Sequence, residues 1–184
     1  MRKLLTAAVA AAAVAGLAAA PAQAAKPRQA TITDTVVALS GAGGFDANGG
    51  DFDILREAVL ATGLDGVLSN RRQLTVFAPT DQAFLELTDA ATEAQAFAAV
   101  AGLGLDAVAD VLAYHVSPGR RTAADIVPAQ RVKTLQGGFL TKAAGSAILV
   151  DALGRPATIV APDAALVSNG VIHVIDTVVL PFAP

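Results

Sequence analysis

The sequence predicts an α+β domain with its helices first and an antiparallel meander of strands after them. Three observations predict this class. Apolar residues recur at helical spacing between Phe52 and His115. Short β-branched runs parted by glycine-containing turns follow Pro118. Strands and helices do not alternate along the chain, as a doubly wound sheet requires. With 184 residues, 54% of them hydrophobic, the chain is one domain long and can bury a core without covalent staples.

In chain order, Met1-Arg2-Lys3 is a basic start and Leu4 to Ala20 is almost wholly apolar. Ala22-Gln23-Ala24 then presents small residues at the two positions a signal peptidase reads. Residues 1–24 are expected to be a secretory signal peptide cleaved after Ala24, and not a retained membrane anchor, because the run is Ala-rich and short for a bilayer. Residues 25–30 read as a short tether, and 31–184 as the folded domain. Thr31 to Leu39 suits a short helix with Asp34 as a capping residue. Ser40 to Asp51 is rich in Gly, Asp and Asn and must be a loop. Phe52, Leu55, Val59 and Leu60 share one helical face, and Gly63 closes that segment. Leu64 to Leu68 reads as a further helical turn.

Leu74 to Phe77 is a buried strand stopped by Pro79, and Thr80 with Asp81 starts the next helix, through Phe84 and Leu87. Asp89 to Leu105 is helical in part. Asp106 to Tyr114 is amphipathic, with Val108, Val111, Leu112 and His115 at i, i+3, i+4 and i+7. The strands expected afterwards are Val132–Leu135, Phe139–Lys142, Ile148–Asp151, Thr158–Ala161 and Val171–Leu180. The last is apolar at both parities, as a central strand covered on both faces would be.

The chemistry the residues can carry is sparse. No cysteine is present, so disulfides, thiolate metal sites and a lipoprotein anchor are excluded. A formal net charge of −3 offers no attraction to nucleic acid or an anionic membrane. His115 and His173 are the only candidate general bases, and Ser40, Ser69, Ser117, Ser146 and Ser168 all lie outside a Gly-x-Ser-x-Gly elbow. Both histidines sit among apolar neighbours and read as core residues whose ring nitrogens bond buried backbone. Counting from Asp46, the loop places Asn48 at position three and Glu57 at position twelve of a calcium loop. Gly50, Asp51 and Asp53 then break the pattern at five, six and eight. The plainer reading is a loop whose Asp51 or Asp53 caps the following helix, with calcium left open for loop 41–53. No cofactor and no metal site is otherwise expected.

Three blocks resemble the fasciclin domain family. Thr75-Val76-Phe77-Ala78-Pro79-Thr80-Asp81-Gln82-Ala83-Phe84 is similar to its first box, and Leu112-Ala113-Tyr114-His115-Val116 to its central Tyr-His motif. Ser168-Asn169-Gly170 through Leu180-Pro181 is similar to its closing box. The resemblance implies a β-wedge of about seven strands in two sheets, with helices packed along one edge. With the signal peptide and the sparse chemistry, it points to a secreted, non-enzymatic adhesion module that binds a cell-surface or matrix protein or polysaccharide. No second apolar stretch reaches spanning length, so no stable membrane insertion is expected once the signal is cleaved. A carrier of an apolar, carotenoid-like small molecule is the alternative, and an enzyme of unknown type a more distant one. In animal members, integrin contact is assigned to the Tyr-His region and to a Glu-Pro-Asp-Ile-Met stretch. The residues that match are Tyr114 and His115 for the first, and Pro162 and Asp163 for the second. The turn Asn169-Gly170 tolerates positive φ and launches the final strand, and Ala-rich composition suits a bacterial source.

Overall fold

In the computed structural model, residues 29–41, 44–142 and 145–182 are described. The expected signal peptide, and the tether up to residue 28, lie outside them. Among the described residues no single helix is long and apolar enough to cross a membrane.

The helices come first, as expected: α1 (Ile32–Leu39), α2 (Asp53–Thr62) and α3 (Asp65–Leu68), then β1 (Leu74–Pro79), α4 (Asp81–Thr88), α5 (Glu93–Ala101) and α6 (Leu105–Tyr114). Next are β2 (Val116–Pro118), α7 (Ala123–Ile126), β3 (Arg131–Lys133), β4 (Phe139–Thr141), β5 (Ile148–Val150), β6 (Pro156–Val167) and β7 (Gly170–Ile175). Thr31 caps α1 in a box completed by Asp34 at N3. Gly63, at φ 69°, ends α2 in the left-handed conformation that glycine adopts without strain.

Strands β3 to β7 form the predicted meander, each antiparallel to the next. β7 is central and runs parallel to β1, which pairs antiparallel with β2. The seven strands form one hydrogen-bonded series, β2-β1-β7-β6-β5-β4-β3, in which β6 joins β7 on one side and β5 on the other. The Leu135 N–H, just past β3, reaches the Val116 carbonyl of β2 at 2.7 Å and nearly closes the ring. Alternation along the central strands splits the core in two. Val76 and Ile172 pack toward the helices with Leu55, Phe84 and Leu112. Phe77 and Ile175 point the other way, into a cluster with Tyr114, Leu140, Leu149 and Val179.

Several local expectations are corrected. Leu60 is 50% exposed, and Ile54 and Ala58 take its place on the buried face of α2. Neither Asp51 nor Asp53 caps α2, and Thr80 makes no side-chain cap to α4. Asp81 does the capping from a distance: its two oxygens accept the N–H groups of Asp53 and Ile54, each at 2.8 Å. A carboxyl acceptor there answers the orphan donors of the helix, while burial and the neighbouring Asp51 carboxyl raise the Asp81 pKa to about 7 against those two N–H groups. The Asn169-Gly170 turn launches β7 as expected, without using positive φ. A Cβ at Gly170 would collide with the Leu74 carbonyl oxygen and with Ile32, so glycine is needed for the close approach of β7 to β1. Asn169 orders the turn instead, accepting from Ile32 N–H and donating to the Leu68 and Asn70 carbonyls.

The loop before α2 is held, not slack. Phe45 packs on Phe97 of α5 with ring centroids 5.5 Å apart, and the Gly49 carbonyl accepts from Gln82 N–H at 2.8 Å.

Candidate functional site

Helix α6 delivers Tyr114 and His115 to the point where the chain turns from helix into β2. Both are buried, at 1% and 2% exposure, so neither can touch a partner while the domain stays folded. The Tyr114 hydroxyl donates to the Phe139 carbonyl at 2.7 Å, tying α6 to β4. Burial, reinforced by the Asp151 charge, pushes its pKa upward. His115 Nε2 accepts the Val179 N–H at 3.2 Å, so the proton sits on Nδ1, which donates to the Val111 carbonyl at 2.7 Å. Burial lowers the pKa of this imidazole to about 4, against the opposing pull of the Val111 carbonyl. The ring is a neutral bolt between α6 and the segment after β7.

His173 repeats the arrangement with the opposite tautomer. Its Nδ1 accepts the Asp163 N–H at 3.0 Å, and Nε2 donates to the Arg121 carbonyl at 2.9 Å. Burial holds its pKa down, with the Arg121 carbonyl and the Asp163 carboxylate pulling the other way. The sequence expectation of core histidines bonded to backbone holds at both positions. Phe77 stacks on His173 at 5.6 Å between centroids.

Pro162 and Asp163 lie in the distal half of β6, which the sequence left outside any strand. Pro162 is exposed. Asp163 takes φ 50° where β6 is bulged, and its carboxylate accepts the Ala123 N–H at the start of α7. Both features bend this stretch, and only β7 flanks it beyond Thr158. The four candidate residues therefore do not converge: Tyr114, His115 and Asp163 hold elements together, and Pro162 alone is an open surface residue.

The surface near the Tyr-His junction is an apolar groove between α1, α2, α3 and the α6–β2 corner, with Leu112 and His115 among the residues that line it. Its rim residues Val37, Leu60, Val67 and Leu135 are 45%, 50%, 43% and 41% exposed. Internal space is about 40 Å³. Pockets that engulf small molecules usually run to about 300–1,000 Å³. The groove as it stands takes a side chain, not a whole ligand. Periodicity missed it, because Leu60 fits a helical core face equally well.

A profile of the fasciclin domain matches residues 50–181. The chain belongs to the fasciclin family. The protein sll1483 of Synechocystis is 38% identical over 131 residues, which are 71% of this chain and 67% of that protein. An uncharacterised protein of the same organism, sll1735, is 34% identical over 133 residues, 70% of this chain and 89% of its own length. The transforming growth factor-beta-induced protein ig-h3 of Sus scrofa is 32% identical over 131 residues, 71% of this chain but 18% of ig-h3. Among solved structures, a domain pair of the insect cell adhesion molecule fasciclin I aligns with TM-score 0.56 at 18% identity. That alignment covers 82% of this chain and half of the pair, and at such identity it carries the fold alone. A fasciclin domain pair thus occurs in an insect cell adhesion molecule, whose fold this chain shares.

Proposed function

We propose that this fasciclin domain is an exported, non-enzymatic adhesion module, and that its apolar groove receives apolar side chains of a protein partner at the cell surface or in the matrix. The groove carries the reading. Exposed Val37, Leu60, Val67 and Leu135 cluster at one mouth, where folding alone gives no reason to keep them apolar. A polysaccharide partner fits less well, since the chain has one tyrosine and no tryptophan for stacking on sugar rings, and Tyr114 is buried. The non-enzymatic reading rests on both histidines having their ring nitrogens committed to backbone groups, which leaves neither free to act as a general base.

The test is retention of the purified protein on producing cells and their matrix. Leu60→Glu places a charge at an exposed groove position and should cut retention at least tenfold with unchanged Tm. Leu166→Glu, at a 60% exposed site on β6, should not. Equal retention of all three proteins, or none of the unaltered one, overturns the reading.

The apolar lining also favours a second reading, a carrier of an apolar small molecule, which requires α1 and α3 to part and enlarge the groove. Native mass spectrometry of protein recovered gently from producing cells separates the two. A bound mass of a few hundred daltons, lost on denaturation, replaces adhesion with transport.

A further inference from the structure

Three helices begin at one place with a carboxylate as first residue: Asp53 of α2, Asp81 of α4 and Glu93 of α5. The loop before α2 adds Asp46 and Asp51. Acidic residues suit helix starts and by themselves signify nothing more. Asp81 is accounted for by its cap on α2. The others are not. Asp53 is 0% exposed, and its Oδ2 meets no donor. Its Oδ1 has only the Arg56 guanidinium at 3.2 Å, an ion-pair contact without hydrogen-bond alignment. Glu93, 2% exposed, accepts the Asp46 N–H with Oε2 at 2.7 Å and leaves Oε1 without a partner. Asp51 accepts from Asn48 Nδ2 with Oδ2 and likewise leaves Oδ1 without one.

Buried carboxylate oxygens without donors are among the costliest groups a fold can hold, and they are rare unless something pairs with them. These oxygens are also clustered. One ligand atom from each of Asp51, Asp53 and Asp81 lies within 4.8 Å of the others, and the same holds for Asp46, Asp51 and Glu93. A calcium ion takes oxygens at about 2.3–2.6 Å, so oxygens on opposite sides of it stand up to about twice that apart. The spacing therefore admits one ion within either trio, with Asp51 common to both.

We propose that this pocket is a calcium site built from Asp51, Asp53, Asp81, Glu93 and Asp46. All donors are hard oxygens, with no imidazole or thiolate to select zinc or copper. They come from a loop and three helix starts in irregular array. Calcium tolerates that arrangement, whereas magnesium demands a near-ideal octahedron and keeps several waters that these buried donors leave little room for. The loop of residues 44–51 supplies ligands without following the EF-hand order, which is why its spacing misleads. Bound calcium would lock this loop to α2, α4 and α5.

The experiment is thermal unfolding and calorimetric titration of the purified protein after EDTA treatment, at constant ionic strength. A calcium concentration a hundredfold above Kd should raise Tm by about 5 °C or more, with magnesium giving less than a third of that. Asp53→Asn and Glu93→Gln, which keep shape and remove charge, should each weaken calcium binding at least tenfold. Asp110→Asn, at an exposed carboxylate on α6, should leave it unchanged. The proposal falls if calcium releases no heat and moves Tm no more than magnesium does, or if both pocket variants bind calcium as the unaltered protein does.

Discussion

Two buried aspartates in this domain meet opposite fates. Asp151, after β5, is 5% exposed, and its Oδ1 accepts the N–H groups of Leu153 and Arg155, each at 2.9 Å. Its Oδ2 accepts from Arg155 Nε and Nη2 at 2.9 and 2.7 Å and from the Leu180 N–H at 3.0 Å. Arg155 in turn donates to the Val178 carbonyl. Burial alone would raise the pKa of Asp151, but the donors from Leu180 and Arg155 outweigh it and hold the carboxyl below its ordinary value. Asp53, at least as buried, accepts no hydrogen bond, and burial lifts its pKa against the pull of Arg56. The same burial therefore gives a structural clamp in the strand half and, in the helical half, a carboxylate that accepts no hydrogen bond and has only the Arg56 charge beside it. The number of donors decides which.

The comparison can be broken most directly at its stable end. Asp151→Ala strands the Arg155 guanidinium and the Leu180 N–H, and should cost about 3–5 kcal/mol, as breaking a buried ion pair does. Urea unfolding measures it, and a loss below about 1 kcal/mol would mean the clamp is not an anchor. Next in size is the pH response of His115, a buried group satisfied in its neutral form. Its folded pKa is about 4, below the unfolded value of 6.5, so its stabilising contribution is complete above pH 6.5 and is lost as pH falls toward 4. Each pH unit in that window removes up to about 1.4 kcal/mol, about 3 kcal/mol in all. NMR titration of the ring tests the cause, and a midpoint near 6.5 in the folded protein would refute it. The smallest effect is the sharpest contrast. In calcium-free buffer Asp53→Asn should be neutral or stabilise by about 1 kcal/mol, because the burial cost of its charge outweighs the pull of Arg56, which keeps Glu57 as a partner. Asp151→Asn should destabilise. If both lose stability equally, the two sites are not different in kind.

What was legible in the sequence was what local spacing encodes. The 3.6-residue period marked α2 and α6, and alternating and β-branched runs with glycine turns marked β3, β4, β5 and β7. The apolar neighbours of His115 and His173 correctly announced core imidazoles. Short elements escaped: β2 and α7 are 3 and 4 residues long, too brief for a period to show. The distal half of β6 was assigned to no strand, and there Pro162 and the positive φ of Asp163 fall where the strand is bulged.

By itself, then, the sequence determined the family, the order of helices and strands, the meander, the central last strand and the neutral histidines. Each follows from residues close together in the chain or from side-chain types that admit one environment. Tertiary structure alone decided that Asp81 caps a helix beginning 28 residues before it, that Gly170 is required by a carbonyl of β1, and that Leu60 opens onto a groove. It alone set Asp151 among five donors and left Asp53 with none. Two aspartates are the same letter in a sequence. Their charge state and purpose depend on which N–H groups or cations reach them through space, and only the folded chain brings those into place.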